Sequence, residues 1–138
     1  MATDFLARCD TIEECYEFLL AYAAQGLPSG EGSPAGREVR RHLEQAREAL
    51  IDLAKSCRQA IADHQPEQST KYDPFCSMLG RDASDSLASI DLVLAQPALS
   101  SQLIDNLNAS SHLRALLTDI FLVGEVLRTR ERVAPAAG

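Results

Sequence analysis

Apolar side chains recur every three or four positions along four long stretches of this chain, and no long run alternates with a period of two. Spacing of this kind places the apolar residues on one face of an α-helix. The four stretches predict helices over about residues 3–25, 34–63, 73–96 and 98–130. We therefore expect an all-α fold, a four-helix up-and-down bundle with antiparallel neighbours.

Capping residues and prolines mark the predicted helix boundaries. Ser33-Pro34 and Asp73-Pro74 each place a capping side chain directly before a proline at the first helical position. A chain of this length typically forms one domain. The sequence predicts a single domain over residues 1–132, followed by a disordered Ala/Pro tail over residues 133–138.

Three of the four predicted helices contain a position where the helix is expected to kink or break. Thr11 to Glu14 has the form of a capping box, which would start a second piece within the first helix. Gly80 marks such a position in the third helix. In the fourth, Asn106 to Ser111 is rich in residues that prefer to bond nearby backbone. The second helix, over residues 34–63, has an unbroken apolar seam and is expected to be continuous.

The last predicted helix is more apolar than one buried face requires, with nine large apolar residues between Leu113 and Leu127. Such a surplus is typical of a central helix or of a face shared with another subunit. We therefore expect a homodimer or a complex with a protein partner. The residues predicted to form the contact are Leu113, Leu116, Ile120, Val123 and Leu127.

The chain is acidic, with a net charge of −7, which disfavours nucleic acid and anionic membranes as partners. Its longest apolar runs are too short to span a bilayer, and its first residues do not form a secretory signal. These features predict a cytoplasmic protein. Only Lys55 and Lys71 are lysines among 13 basic residues, and this arginine bias, with abundant alanine, is typical of a GC-rich bacterial genome.

Helical bundles often hold metals between carboxylates and histidines, so the surroundings of the three histidines are informative. None of them has a glutamate three positions earlier, the spacing found in ferritin-like metal sites. Glu38 and His42, four residues apart, are the nearest candidate metal ligands. A solvated ion pair on the helix surface is the favoured interpretation, and the sequence predicts neither a metal nor a cofactor.

The four cysteines lie within predicted helices at irregular spacings, which favours reduced thiols over a disulfide framework. Cys57 lies in the apolar seam of the second helix, where a cysteine behaves as a small hydrophobic residue. Cys76 lies in the first turn of the third helix, where unpaired amides and the helix dipole lower a thiol pKa. Cys76 is therefore the candidate reactive thiol, although the pattern favours a packing role for it too.

Two arginines are followed, five or six positions later, by a histidine: Arg37 with His42 and Arg58 with His64. This spacing resembles that of the HEPN ribonucleases, which are small and all-helical, and the resemblance implies RNA cleavage by these side chains. It covers only six or seven residues at each place. In that family the residue after the arginine is usually Asn, Asp or His, which neither place has.

The chain contains no P-loop, no dinucleotide fingerprint and no nucleophile elbow. The sequence therefore favours a non-enzymatic helical bundle that acts through protein–protein interaction, as an adaptor or regulatory subunit. Two alternatives stay open. One is a bundle that binds a small molecule or metal and has a redox role, and the other is a HEPN-like ribonuclease.

Overall fold

A computed structural model of the chain describes the backbone of residues 2–133 and the side chains of residues 4–129. A 3-10 segment, Pro66–Tyr72, joins the third and fourth of its helices. Within the described part the fold is all-α, as predicted. The four-helix bundle is not confirmed, because residues 2–133 form six helices: α1 (Ala2–Ala24), α2 (Pro34–Leu50), α3 (Leu53–His64), α4 (Asp73–Leu94), α5 (Ser101–Ala109) and α6 (Ser111–Val133).

Two of the positions expected to interrupt a helix do not interrupt it. The Thr11 hydroxyl donates to the Ala7 carbonyl oxygen (3.1 Å), one turn earlier, as threonines do inside a helix, and α1 is continuous. Gly80 lies within the continuous α4 and packs against Ala54 of α3. The tail predicted to be disordered, residues 133–138, lies outside the described residues except for the last residue of α6.

The predicted continuous helix over residues 34–63 is wrong, because the chain breaks between α2 and α3. Asp52 at the break has a φ of 61°, in the left-handed region that disfavours residues other than glycine. Arg8 of α1 donates to the carbonyl oxygens of Ala49 (3.3 Å) and Ile51 (2.5 Å). These are carbonyls of the kind that a helix end leaves without intrahelical partners, so α1 stabilises the break.

The second break falls where the sequence predicts one. Ser110 separates α5 from α6 with an extended backbone, and its hydroxyl oxygen accepts from the Leu113 N–H (3.3 Å) at the start of α6. Ser33 caps α2 as predicted, accepting from the Gly36 N–H (2.9 Å). The predicted Asp73 cap is wrong, since Asp73 is already the first residue of α4.

All six helices contribute to one hydrophobic core. α1 packs against α2, α3, α5 and α6, while α4 packs against α2, α3, α5 and α6. Ser101, the first residue of α5, ties the loop after α1 to the core: its hydroxyl accepts from the Leu27 N–H (2.8 Å) and donates to the Tyr22 carbonyl (2.7 Å). Among the described residues, no helix is long and apolar enough to cross a membrane.

Candidate functional site

The five residues predicted to form an interaction stripe lie in the protein's own core. Each is at most 6% exposed, because α6 packs against both α4 and α1 and uses a wide apolar arc to do so. Their helical spacing is that of a core-facing stripe, and spacing alone does not distinguish a subunit contact from an internal one. The residues are Leu113, Leu116, Ile120, Val123 and Leu127.

The exposed part of the apolar surplus lies outside the buried arc of α6. Phe121, Leu122 and Val126 are 51%, 57% and 46% exposed. Leu122 and Val126 are four residues apart, so they lie one above the other on the helix surface. Phe121 lies about 100° or more around the helix from both, on the other flank of the buried arc. We therefore call only Leu122 and Val126 the α6 ridge. The sequence shows them as apolar, but only the packing of α6 shows that they face solvent.

Beside the ridge lies an apolar groove with a volume of about 220 Å³. The polar groups at its edge bond to each other, since the Tyr72 hydroxyl donates to Gln65 Oε1 (3.0 Å). Leu122 and Val126 belong to both the ridge and the groove wall. The sequence gives no signal for this groove, because its walls come from four separate elements and the residue joining two of them: Ile61, Gln65, Tyr72, Phe75, Leu122, Val123, Val126 and Leu127.

The candidate metal ligands Glu38 and His42 lie near each other on α2, with Oε1 and Nε2 3.8 Å apart. Glu38 is bonded more closely to Arg41 Nη2 (2.5 Å), and this hydrogen bond lowers the pKa of its carboxyl. The His42 ring stacks on Phe18 of α1, with ring centroids 4.3 Å apart. No group of three or more His, Cys, Asp or Glu side chains within the described residues is arranged to hold a metal.

The arginines of α2 and α3 make contacts within the fold. Arg40 donates to the carbonyl oxygens of Leu94 (2.9 Å) and Gln96 (2.8 Å), capping the C-terminal end of α4. Arg37, from the first HEPN-like pair, donates to the Gly32 carbonyl oxygen (3.1 Å). Arg58, from the second pair, donates to Ser77 Oγ (3.1 Å) on α4.

The candidate reactive thiol Cys76 has a partner that the sequence does not predict. Its Sγ lies 3.9 Å from the Sγ of Cys57 on α3, and both side chains are buried. The hydrogen bond between the two thiols lowers the pKa of Cys76, while the same contact and burial raise the pKa of Cys57. Cys9 and Cys15 are buried on α1, and burial raises the pKa of each thiol to about 12.

A buried carboxyl lies between α4 and α6. Asp119 is 4% exposed, and its Oδ2 has no hydrogen-bond partner among the described side chains and backbone. Burial, together with the neighbouring carboxyl of Asp82 on α4, raises the pKa of Asp119 to about 7. Asp119 is therefore largely protonated in acidic solution, when its proton can bond to Asp82.

Comparison of the chain with protein-family models, curated proteins and solved structures gives no significant match in any of the three.

Proposed function

We propose that this protein is a non-catalytic interaction module and that its α6 face binds a second copy of the chain. The observation that carries the proposal is the α6 ridge lying beside the apolar groove on the same face. An exposed cluster of large apolar side chains typically marks a surface that another protein covers. As a homodimer, the protein would serve as an adaptor or regulatory subunit.

The shape of this face favours a second copy over an unrelated partner. A twofold interface uses the same patch on both subunits, so the patch must be complementary to itself. Here a ridge and a groove lie side by side, and Leu122 and Val126 contribute to both. In the proposed dimer, two copies meet about a twofold axis and the ridge of each enters the groove of the other.

The charge of α6 also supports contact between two copies. The chain has a net charge of −7, which disfavours association of two copies. The stretch that forms α6, Ser111–Val133, contains four arginines and three acidic residues. The charges of α6 nearly balance, so a contact between two α6 helices does not add to the repulsion from the net charge.

The size of the groove favours a protein occupant over a small molecule. Its volume is about 220 Å³, below the roughly 300–1,000 Å³ of typical ligand pockets. Isoleucine, phenylalanine, leucine and valine side chains form most of its wall. Protruding aliphatic side chains from a neighbouring helix suit such a space, as in recognition of an amphipathic helix by a groove.

The proposal is tested by measuring the mass of the full chain in solution with sedimentation equilibrium over a range of concentrations. We expect a species near twice the 15.0 kDa chain mass. Leu122→Glu and Val126→Glu place a charge in the centre of the contact and should weaken the dimer by at least about tenfold. Both positions are exposed, so circular dichroism should show that the variants stay helical.

Leu92→Glu is the matched control, because Leu92 is an isolated apolar residue of α4, 68% exposed and outside the groove. It should dimerise like the unmodified chain. An unmodified chain that stays monomeric contradicts the homodimer. If it then forms a complex with another protein that Leu122→Glu abolishes, the face belongs to that partner instead. A dimer that survives Leu122→Glu and dissociates with Leu92→Glu places the contact elsewhere.

A further inference from the structure

α3 and α4 cross closely at small side chains. A Cβ added at Gly80 of α4 would lie 3.2 Å from the Ala54 Cβ of α3, tighter than ordinary contact. About one turn away, the short side chains of Cys57 and Cys76 meet, with their sulfur atoms 3.9 Å apart. The two thiols are 0% and 1% exposed. The fold therefore holds two cysteines, 19 positions apart in the chain, against each other.

The residues that follow the two cysteines hold the helices together at the same level. Arg58 Nη2 donates to Ser77 Oγ (3.1 Å), so α3 and α4 are linked directly beside the sulfur atoms. The guanidinium charge also favours ionisation of both thiols. A positive charge beside a cysteine is typical of a thiol that reacts as a thiolate.

The two thiols differ in how readily they ionise. Either S–H can donate when both are neutral, but once Cys76 has lost its proton only Cys57 can donate. That hydrogen bond lowers the pKa of Cys76 and raises the pKa of Cys57. Cys15 shows the effect of burial without such a hydrogen bond, since burial alone raises its pKa to about 12. Cys76 also lies at the start of α4, where the helix dipole favours a thiolate, whereas Cys57 lies inside α3. Cys76 is therefore the nucleophile of the pair and Cys57 its partner.

We propose that Cys57 and Cys76 form a redox-active pair, which a hydroperoxide oxidises to an intrachain disulfide. The Cys76 thiolate attacks one peroxide oxygen, the O–O bond breaks, and hydrogen peroxide leaves its second oxygen as hydroxide, which takes up a proton to form water. The Cys57 sulfur then attacks the Cys76 sulfenic acid, forms the S–S bond and releases a second water. The two sulfurs together lose two electrons, which the peroxide gains.

Entry of the peroxide to Cys76 and formation of the disulfide both depend on the first turn of α4, where Cys76 lies. The first amides of a helix have no intrahelical partners, and Tyr72, which precedes α4, makes no side-chain capping bond. The adjoining 3-10 segment contains no buried residue. The end of a helix opens more easily than its middle. In a chain that is not dimerised, the groove lined by Tyr72 and Phe75 is uncovered, and opening of this turn admits the peroxide. The sulfurs then approach by roughly 1.9 Å to reach bonding distance.

The test uses the full, reduced chain exposed to a modest excess of hydrogen peroxide. The protein is then unfolded, alkylated, and examined by intact mass and peptide mapping. We expect the mass before alkylation to fall by about 2 Da, the loss of two hydrogen atoms. Two of the four cysteines should be protected, and mapping should link the Cys57 and Cys76 peptides. Dithiothreitol should restore four alkylated thiols.

Cys15→Ser is the matched control, since Cys15 is buried without a thiol partner in contact, and it should still form the disulfide. Cys57→Ser should instead leave Cys76 as a sulfenic acid, a gain of about 16 Da that dimedone traps. Even where a serine variant fails to fold, peptide mapping of the unmodified chain shows whether Cys57 and Cys76 become linked. Four thiols still alkylated after exposure, a link that involves Cys9 or Cys15, or a link between two chains would each overturn the proposal.

Discussion

Asp119 shows how one buried side chain makes stability depend on pH. In the unfolded chain its carboxyl ionises near pH 4, as an ordinary aspartate does. In the folded protein its pKa is about 7, because burial and then Asp82 disfavour the charge. Between these values the folded state binds more protons than the unfolded state. This contribution to the free energy of unfolding is fully present below about pH 4 and is lost as the pH rises through 7.

Asp119→Asn removes the ionisable group while keeping nearly the same shape. We expect the variant to lose much of the fall in unfolding free energy between pH 5 and pH 8. At pH 8 it should be more stable than the unmodified chain by about 1–3 kcal/mol, because no charge is buried. Urea denaturation at the two pH values measures this. Asp105→Asn, at an exposed position of α5, is the control and should leave the free energy of unfolding unchanged at both pH values. If the free energy of unfolding depends on pH equally in Asp119→Asn and the unmodified chain, Asp119 is not the group responsible.

At the scale of elements, the break between α2 and α3 is a tertiary feature. The apolar seam continues through it, with Leu50 buried before the break and Leu53 buried after it. What interrupts the helix is the left-handed backbone of Asp52, stabilised from α1. Arg8, which bonds the carbonyls at the break, is itself paired with Asp4 (3.2 Å). Interactions that distant in the chain are not visible in a local pattern.

Asp52→Val tests how much the left-handed position matters. A β-branched residue is strained at positive φ, and we expect the free energy of unfolding to fall by about 1–2 kcal/mol. Asp52→Gly should be neutral or slightly stabilising, because glycine adopts this conformation readily. Glu44→Val, at an exposed site in the middle of α2, is the control and should cost only about 0.5 kcal/mol. Urea denaturation of the three variants suffices, and equal losses in both valine variants would argue against strain at Asp52.

At the scale of the whole molecule, α6 has two apolar faces with different roles. One packs against α4 and α1, and Leu116 at its centre is 0% exposed. The other carries the α6 ridge, where Leu122 is 57% exposed. Substitutions on the two faces should therefore have different consequences, even though the residues are less than two turns apart.

Leu116→Asp should unfold the chain, because it buries a charge without a partner in the core. Leu122→Asp should leave the chain folded and affect only association. Circular dichroism and thermal denaturation at a concentration below the dimerisation range distinguish the two outcomes. A cooperative thermal transition in Leu116→Asp near that of the unmodified chain would contradict the prediction. Loss of this transition in Leu122→Asp would contradict it as well.

The sequence by itself determined the helical class and most helix ends. Apolar spacing shows which residues form helices, and the Ser33 cap and the serine-rich junction before α6 act through neighbouring backbone, so local reasoning reaches them. It also showed that the last helix has more apolar surface than one face needs. These features depend on residues within a few positions of one another.

Only the tertiary structure decided which apolar side chains are covered and which thiols meet. The predicted stripe on α6 became core because α4 and α1 both pack against it, while the α6 ridge remained exposed. Cys76 looked like a lone thiol until the crossing of α3 and α4 placed Cys57 beside it. The physical reason is common to both: burial and contact depend on how separate helices pack, and helical periodicity describes one helix at a time.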